Sequence, residues 1–400
     1  MKILMVNKFL HLNGGSETYI FNLGNELIRQ GHDVQYFGME HEKRIVGNQL
    51  DVYTDNMDFH TGKLQKLLYP FKIIFSLEAY KKMLKVLEDY KPDVVHVNNF
   101  NFQLTPSILY AVKKYNKKRK KDIKIIYTAH DTQLVCPNHL MQNPVTKERC
   151  VACLQKGVLQ CTKNKCIHGS GIKSLLGTME NILYKTLKSY RVFDAIICPS
   201  QFIKSKLDSD SVLRQKTLVL HNFVEIVKSD KELKKEDYIL YFGRFSEEKG
   251  IKTLLEVCKR LDDINFHFAG SGPLEKEIQE ISNIELKGFL SGTELTDEIR
   301  KAKLVVFPSE CYENCPFTVM EAQLCGTPVL ASDLGGIPEL MNNNVSGELF
   351  EAGNKNELIK KIDKLWKYPE IIKKYEENCK KVKFDTLEQY TVKMIEIYKK

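Results

Sequence analysis

The sequence predicts an α/β protein built from two successive doubly wound parallel sheets. Short apolar runs of strand length recur along the 400 residues, separated by stretches with helical spacing. The pattern breaks at a polar connection rich in lysine and glutamate, from Lys228 to Asp237, and then starts again. The length suffices for two domains of ordinary size, each with its own core.

The first half opens with Lys2 to Asn7, a short apolar run, and the turn Leu12-Asn-Gly-Gly-Ser-Glu-Thr18. Tyr19, Leu23, Leu27 and Ile28 then recur at helical spacing up to Gly31, and His32 to Phe37 is the next strand. Strand, glycine turn, helix and strand in that order begin a doubly wound sheet. Asp93–Val97, Ile123–Thr128 and Asp194–Cys198 read as further buried strands, with helices at Leu104–Tyr115 and Gln201–Leu207. Thr217 to Val224 closes this half. The second half repeats the logic without any detectable sequence repeat. Its strands are Tyr238–Gly243, Asn265–Ala269, Asn283–Gly288, Leu304–Phe307 and Pro328–Ala331, with a helix at Ile251–Leu261. Near the end Leu387, Tyr390, Met394 and Ile397 form an apolar stripe on a terminal helix.

Hydrophobic content of 43% and charged content of 28% fit a globular protein. No apolar run approaches the length of a membrane span, and the N-terminus turns polar too soon for a signal peptide, so a cytoplasmic protein is expected. The net charge of +9 is uneven, residues 1–200 carrying 29 Lys/Arg against 17 Asp/Glu. Such a half attracts something anionic: nucleic acid, an acidic membrane or a phosphorylated substrate. The densest cluster, Lys113 to Lys121, has no aromatic residues interleaved across Lys117–Lys121, which argues against nucleic acid. It also suits a plain solvated loop after a helix.

Two stretches carry chemistry. In Tyr241-Phe-Gly-Arg-Phe-Ser-Glu-Glu-Lys-Gly250, Gly243 lets the chain turn at a strand exit and Arg244 projects where open α/β sheets bind ligands. Lys249 follows at the start of the next helix, and two fixed cations suit a diphosphate. In Pro308-Ser-Glu-Cys-Tyr-Glu-Asn-Cys-Pro-Phe-Thr-Val-Met-Glu-Ala322, Pro316 suits the first helical position, with Asn314 or Cys315 as cap. The amides of Phe317 and Thr318 would then face an anion. Glu321, a turn and a half into that helix, is placed to accept hydrogen bonds from vicinal ribose hydroxyls. Glu313 lies in the preceding loop. A carboxylate favouring the helix dipole is the plainer account of either glutamate.

Taken together these stretches resemble glycosyltransferase family 4, a group of retaining enzymes with the GT-B architecture of two facing Rossmann-like domains. The likeness runs through Gly14-Gly-Ser-Glu17, Thr128-Ala-His-Asp131, His221-Asn-Phe-Val224, Gly243-Arg244 with Lys249-Gly250, and Ala269-Gly-Ser-Gly-Pro273. It continues in Gly288-Phe289, Glu313 with Glu321, Gly326-Thr-Pro-Val329 and Gly335-Gly-Ile-Pro-Glu339. The resemblance implies an N-terminal acceptor-side domain over 1–227, a nucleotide-sugar domain over 228–385, and a terminal helix over 386–400 packing back on the first domain. It implies that Arg244 and Lys249 bind the donor diphosphate, Glu321 the ribose and Glu313 the donor sugar. Gly14 and Gly15 match the loop that approaches the phosphates, and His130 a histidine near the reacting face of the sugar. Base contacts would come from backbone groups near Gly288 and Phe289. The implied reaction moves a sugar from a nucleotide-diphosphate donor to a glycan or lipid-linked acceptor with retention, in cell-surface polysaccharide synthesis. Fixed positive charge on the leaving diphosphate would supply the stabilisation without a metal cofactor. One departure stands out: many relatives have glycine two residues after the first glutamate, where this chain has Cys315-Pro316.

Other signals are read more plainly. Asp208-Ser-Asp210 looks like an acidic metal pair but reads as a solvated helix end, and Asn344-Val-Ser346 as a turn. Of eleven cysteines six are scattered (Cys198, Cys258, Cys311, Cys315, Cys325 and Cys379), while five crowd between Cys136 and Cys166 in a Cys-rich insertion near 136–168. Cys150, Cys153, Cys161 and Cys166, with His168 close by, form a usable tetrahedral zinc framework, with a loop of free thiols as the alternative. Lys63 to Phe75 mixes lysine with apolar residues and suits either an anionic membrane surface or a helix packed on the domain. Two further functions remain open on sequence alone: a nucleotide-sugar epimerase or hydrolase of the same architecture, and a non-catalytic anion-binding protein.

Overall fold

The computed structural model describes residues 1–56, 69–227 and 233–400. The chain divides into two compact units, Met1–His221 joined by Leu387–Lys400, and Asn222–Thr386. Of the Lys63–Phe75 stretch, residues 63–68 lie outside the described residues and Tyr69–Ile74 is helical, and part of the Lys228–Asp237 connection also lies outside. The end of that connection is a strand rather than a linker, because β7 already begins at Glu236.

In the first unit a parallel sheet runs in the order β2-β1-β3-β4-β5-β6. Its strands are β1 (Lys2–Val6), β2 (Asp33–Phe37), β3 (Val94–Val97), β4 (Lys124–Thr128), β5 (Ala195–Cys198) and β6 (Thr217–Val219). Successive side chains of a strand point to opposite faces, and the sequence fills both. Leu4, Val6, Val95, Val97, Ile125 and Tyr127 pack on α3 (Leu77–Tyr90) and α4 (Ser107–Arg119). The opposite face carries His96 and Thr128 and meets α1 (Gly15–Arg29) and the terminal helix, here α16 (Leu387–Lys399), through hydrogen bonds. The Lys113–Lys121 cluster sits mainly on the end of α4 rather than in a loop, and Lys118 and Arg119 pair with Glu88.

The buried stripe of α16 is Leu387, Tyr390, Thr391, Met394 and Tyr398. Tyr398 replaces the expected Ile397 as its last member, because its hydroxyl reaches buried His96. Between β4 and β5 come α5 (Ala152–Lys156), α6 (Leu159–Lys163) and α7 (Gly171–Thr186). After β5 come α8 (Gln201–Leu207) and α9 (Ser211–Arg214), and α2 (Tyr69–Ile74) precedes α3. Asp210 caps α9 through Val212 and Leu213 N–H, while Asp208 binds Lys204 and Thr217, so the acidic pair has structural work.

The second unit repeats the plan with strand order β12-β11-β10-β7-β8-β9, all parallel. The strands are β7 (Glu236–Arg244), β8 (Asn265–Ser271), β9 (Ile284–Gly288), β10 (Ala302–Phe307), β11 (Val329–Ser332) and β12 (Gly347–Phe350). Alternation again builds two cores. Ile239, Tyr241, Phe266 and Phe268 pack on α10 (Ile251–Arg260), α14 (Lys355–Lys367) and α15 (Pro369–Cys379). Leu240, Phe242, Val305 and Val329 pack on the other side with α12 (Gly292–Lys301) and α13 (Phe317–Leu324), and α11 (Glu275–Gln279) lies between β8 and β9. Asn344 adopts a left-handed turn, while Ser346 is buried and donates to Gln323.

Candidate functional site

Ligands of open α/β sheets bind beyond the carboxyl ends of the strands where strand order reverses. In the second unit that point lies between β7 and β10, and the two motif stretches leave from those two strands. Arg244 ends β7, exposed, with its guanidinium in no hydrogen bond or ion pair among the described residues. Lys249 closes the short 3-10 turn before α10. Gly250 behind it has φ +74, and a Cβ there would stand 1.9 Å from the Pro308 carbonyl oxygen. Only glycine lets the lysine loop approach the β10 exit so closely.

Lys249 Nζ meets Glu313 Oε1 at 2.5 Å, and the Ser309 hydroxyl donates to the same oxygen at 2.7 Å. Burial is the largest single influence and works against the lysine's charge, but Glu313, with smaller contributions from Cys311 and Glu248, offsets it and the Lys249 pKa is raised. The two groups assigned separately from sequence, one to phosphate and one to sugar, are thus an ion pair. The Glu313 backbone is held from behind: Gly336 N–H donates to its carbonyl at 2.8 Å, and a Cβ on Gly335, at φ +63, would fall 2.3 Å from that same oxygen.

Helix α13 starts at Phe317, one residue later than expected. Pro316 occupies the cap position rather than the first helical one, with φ −69 and ψ 125, and no side chain caps the helix. Its first amides, including those of Phe317 and Thr318, therefore have no capping side chain, which leaves them open to an anion. The Cys315-Pro316 departure has a structural use. Asn222 N–H donates to the buried Cys315 sulfur at 3.4 Å, its amide reaches the Cys315 carbonyl at 3.3 Å, and Phe223 packs on Phe317. Burial pushes the Cys315 thiol up to about 12, which leaves it unreactive. Asn314 is half-buried in the same loop.

Glu321 is half-buried in α13, and its carboxyl group has no hydrogen bond among the described residues. Burial alone pushes it up to about 7. A half-buried carboxyl group without a protein donor is open to one from a ligand. Gly288, at φ +67, ends β9, and Phe289 beyond it is 78% exposed.

In the first unit the reversal lies between β1 and β3. Asn7, leaving β1, donates to Glu17 at 2.9 Å and accepts from Asn99 N–H at 3.0 Å, while Asn99 donates to Ser16 at 3.0 Å. These bonds fix the start of α1 and leave Gly14 and Gly15 exposed, again with no side-chain cap. His130 leaves β4. Its Nε2 lies 2.9 Å from Asn98 Oδ1, and its ring meets the Tyr19 ring edge-on at 5.0 Å. Asn98 points its amide nitrogen at the His96 carbonyl, so its Oδ1 accepts and His130 Nε2 carries a proton. Burial lowers the His130 pKa to about 4, so the ring is neutral at pH 7.

The sequence reading missed four residues that hold this machinery: Ser309 under Glu313, Asn98 under His130, Asn7 under Glu17, and Cys136. Cys136 joins Cys150, Cys153, Cys161 and Cys166 around one cavity of about 10 Å³. The polar exits of β1 and β3 were visible as asparagines, but their pairing depends on strand order, which no local pattern encodes.

Residues 223–382 match the family of glycosyl transferases group 1, and residues 13–228 match Glycosyltransferase Family 4. An uncharacterized glycosyltransferase of Methanocaldococcus jannaschii is 28% identical over 340 residues, 82% of this chain and 89% of the relative. The amylovoran biosynthesis glycosyltransferase AmsK of Erwinia amylovora is 25% identical over 376 residues, covering 86% of each. Among solved structures, Anabaena HepE in complex with UDP and glucose superposes with a TM-score of 0.66 at 16% identity, over 99% of this chain and 98% of that one. With two Rossmann-like units and these matches along nearly its whole length, the chain belongs to glycosyltransferase family 4 and has the GT-B fold.

Proposed function

We propose that this enzyme transfers a sugar from a nucleotide-diphosphate sugar to a glycan or lipid-linked acceptor, with retention at the anomeric carbon, in the synthesis of a cell-surface polysaccharide. One observation carries the donor reading. Among the described residues, a half-buried carboxyl without a hydrogen bond (Glu321), a guanidinium without a hydrogen bond or ion pair (Arg244) and a helix start without a side-chain cap (Phe317, Thr318) all belong to the reversal point of one sheet. Carboxylate for a ribose diol, cation and amides for a diphosphate: that set of complements describes a nucleotide diphosphate. The relatives agree with it, HepE having been solved with UDP and glucose and AmsK being named for amylovoran biosynthesis.

In this reading Arg244 and Lys249 hold the diphosphate and stabilise the charge that develops on it as the sugar leaves. Glu313, through its pair with Lys249, orients that lysine and presents its remaining oxygen to the sugar. The neutral His130 and the exposed Gly14-Gly15 turn are the first unit's assignments, to the reacting sugar and the phosphates, and Gly288 and Phe289 are assigned to the base. A thermal-shift panel of UDP-, GDP- and ADP-sugars tests the reading. One donor should raise the melting temperature by several degrees, and Glu321→Ala should abolish that shift. A shift unchanged in Glu321→Ala, or transfer unchanged in Glu313→Ala and Lys249→Ala, overturns the site. Donor consumption without any glycosylated product would favour the epimerase or hydrolase reading.

The acceptor side includes contact with an anionic membrane. Helix α7 exposes Ile172, Leu175, Met179, Ile182 and Leu183 along one face, with Leu187 just beyond. Lys173, Lys185 and Lys188 flank that face, an apolar stripe with a basic rim suited to acidic headgroups. No described helix is long and apolar enough to cross a membrane. Co-sedimentation with phosphatidylglycerol vesicles at low salt should fall sharply when Ile172, Leu175 and Met179 are changed together to Ser. Equal binding by that variant, or none by the parent, removes the membrane assignment.

A further inference from the structure

Between β4 and α7 the chain crosses residues 129–170 with only α5 and α6, five residues each, as regular helix. This stretch has little core of its own. Leu140, Val145 and Leu159 are at least 60% exposed, and in the two short helices only Cys161 is buried. Five residues in it hold left-handed backbone without being glycine: His139, Met141, Lys147, Lys165 and His168. Something other than apolar burial must pin so irregular a path.

The five cysteines are what the path brings together. They line one cavity of about 10 Å³, room for a single water-sized sphere and too little for an organic ligand. They come from four separate segments of the path. Cys150 and Cys153 form a Cys-x2-Cys turn in which Ala152 N–H donates to the Cys150 sulfur at 3.4 Å. Cys136 and Cys166 are bracketed by one side chain: Asn138 Oδ1 accepts from the Cys136 thiol at 3.0 Å, and Asn138 Nδ2 donates to the Cys166 carbonyl at 3.4 Å. Cys161, fully buried on α6 against α7, is in hydrogen-bond contact through its thiol with the thiol of Cys166 and so backs that residue from behind.

We propose that this cavity is a structural zinc site, with Cys136, Cys150, Cys153 and Cys166 as its four thiolate ligands and Cys161 outside the coordination shell. Zinc favours tetrahedral thiolate sets, and a Cys-x2-Cys turn is the usual source of two of them. Among the described residues no three His, Cys, Asp or Glu side chains already stand as a ligand set. The Cys136 thiol points at Asn138, so loading requires it to turn inward. On binding, four thiol protons leave to solvent and four Zn–S bonds form, giving the site a net charge of −2. Lys147, Arg149, Lys156, Lys163 and Lys165 in the same stretch offset that charge against two acids, Asp131 and Glu148. The sequence-based set changes by one residue: Cys136 enters and Cys161 leaves.

The full-length chain, purified without chelator from zinc-supplemented cells, should carry one zinc per chain by plasma mass spectrometry. Ser substitution at Cys136, Cys150, Cys153 or Cys166 should each lower that stoichiometry at least several-fold, and Cys161→Ser should leave it near one. Exchange of Co2+ into the wild-type chain should give the intense thiolate charge-transfer and visible bands of a tetrahedral four-sulfur site. That readout does not depend on whether a variant folds. Zinc near zero in the parent, iron with acid-labile sulfide, or an octahedral cobalt spectrum overturns the site. Zinc retained by Cys136→Ser and lost from Cys161→Ser overturns the ligand set.

Discussion

The two sheets place their reversal points alike but differ in how far the ionisable side chains there are paired. In the first unit the groups answer one another: His130 with Asn98, Glu17 with Asn7, Asn99 with Ser16. Behind them His96 binds both Thr128 and Tyr398 at 2.7 Å, and Tyr19 binds Tyr390 at 2.8 Å. In the second unit Lys249, Glu313 and Ser309 satisfy one another, yet Arg244 and Glu321 have no such partners among the described residues. A buried polar group without a partner costs roughly 1–3 kcal/mol. Half-buried Glu321 bears part of that cost and a ligand would remove it, whereas Arg244 is exposed and bears none. Asn99 Oδ1 in the first unit is a buried acceptor without a partner among the described residues, so the contrast lies in the ionisable groups alone.

The widest separation should appear in Arg244→Ala. No described residue hydrogen-bonds or ion-pairs with this exposed guanidinium, whose charge acts only weakly on Glu248. Its removal should therefore leave the melting temperature within about a degree while kcat/KM falls on the order of 10²–10³-fold, as for loss of one preorganised charge at a developing anion. A large drop in melting temperature, or a loss below threefold, would erase the distinction between the two regions.

Glu321 gives the next effect through pH. Its folded pKa, raised by burial to about 7, means that the free protein holds a proton there just below neutrality. Two ribose hydroxyls donating to the carboxylate favour its charged form, so donor binding must expel that proton. Affinity should therefore be full above pH 7 and decline below it, by about tenfold between pH 8 and pH 6, following one proton. Calorimetric titration of the donor in buffers of different ionisation enthalpy would count that proton. Glu321→Gln should bind more weakly at pH 8 and show a flat profile, and a profile still sloping in that variant would assign the proton elsewhere.

How much of this was legible beforehand follows from which interactions are local. The strands and most helices were readable because buried parallel strands are continuous apolar runs, and Arg244, Lys249, Glu313 and Glu321 because they sit in short ordered motifs. The start of α13 was off by one residue, since Pro316 fits a cap or a first position equally well until the backbone angles are known. Tyr398 was passed over for Ile397 because an apolar stripe gives no hint that a tyrosine hydroxyl would be wanted at a histidine 302 residues away. The Lys249–Glu313 pair, Asn98 beneath His130 and the fifth cysteine all needed the sheet order or the path of a loop, which spacing cannot supply.

Gly335→Ala probes a second place, besides Gly250 on Pro308, where the second unit's loop is held by close backbone packing. Alanine at φ +63 is strained by about 1–2 kcal/mol, and its Cβ would press on the Glu313 carbonyl. The loop must shift and carry Glu313 away from Lys249. We expect kcat to fall about tenfold while Arg244-dependent donor binding changes little, and a structure of the variant should show the ion pair lengthened.

The smallest effect belongs to the first unit, and it tests whether α16 contributes order there rather than chemistry. Tyr398→Phe keeps the ring and removes only the hydroxyl bonded to His96 Nδ1. The ring of His96 is fully buried, and burial lowers its pKa to about 3, so it stays neutral and cannot recover the loss by charging. One nitrogen is left without a partner, a cost of about 1–3 kcal/mol. Tyr390→Phe should cost less, because Tyr19 keeps Thr128 at 3.3 Å as a second partner. Urea unfolding should thus rank the parent above Tyr390→Phe and Tyr390→Phe above Tyr398→Phe, with donor affinity equal in all three. If donor affinity fell in step with stability, the terminal helix would have to be counted with the binding groups, and the division between an orienting unit and a binding unit would not hold.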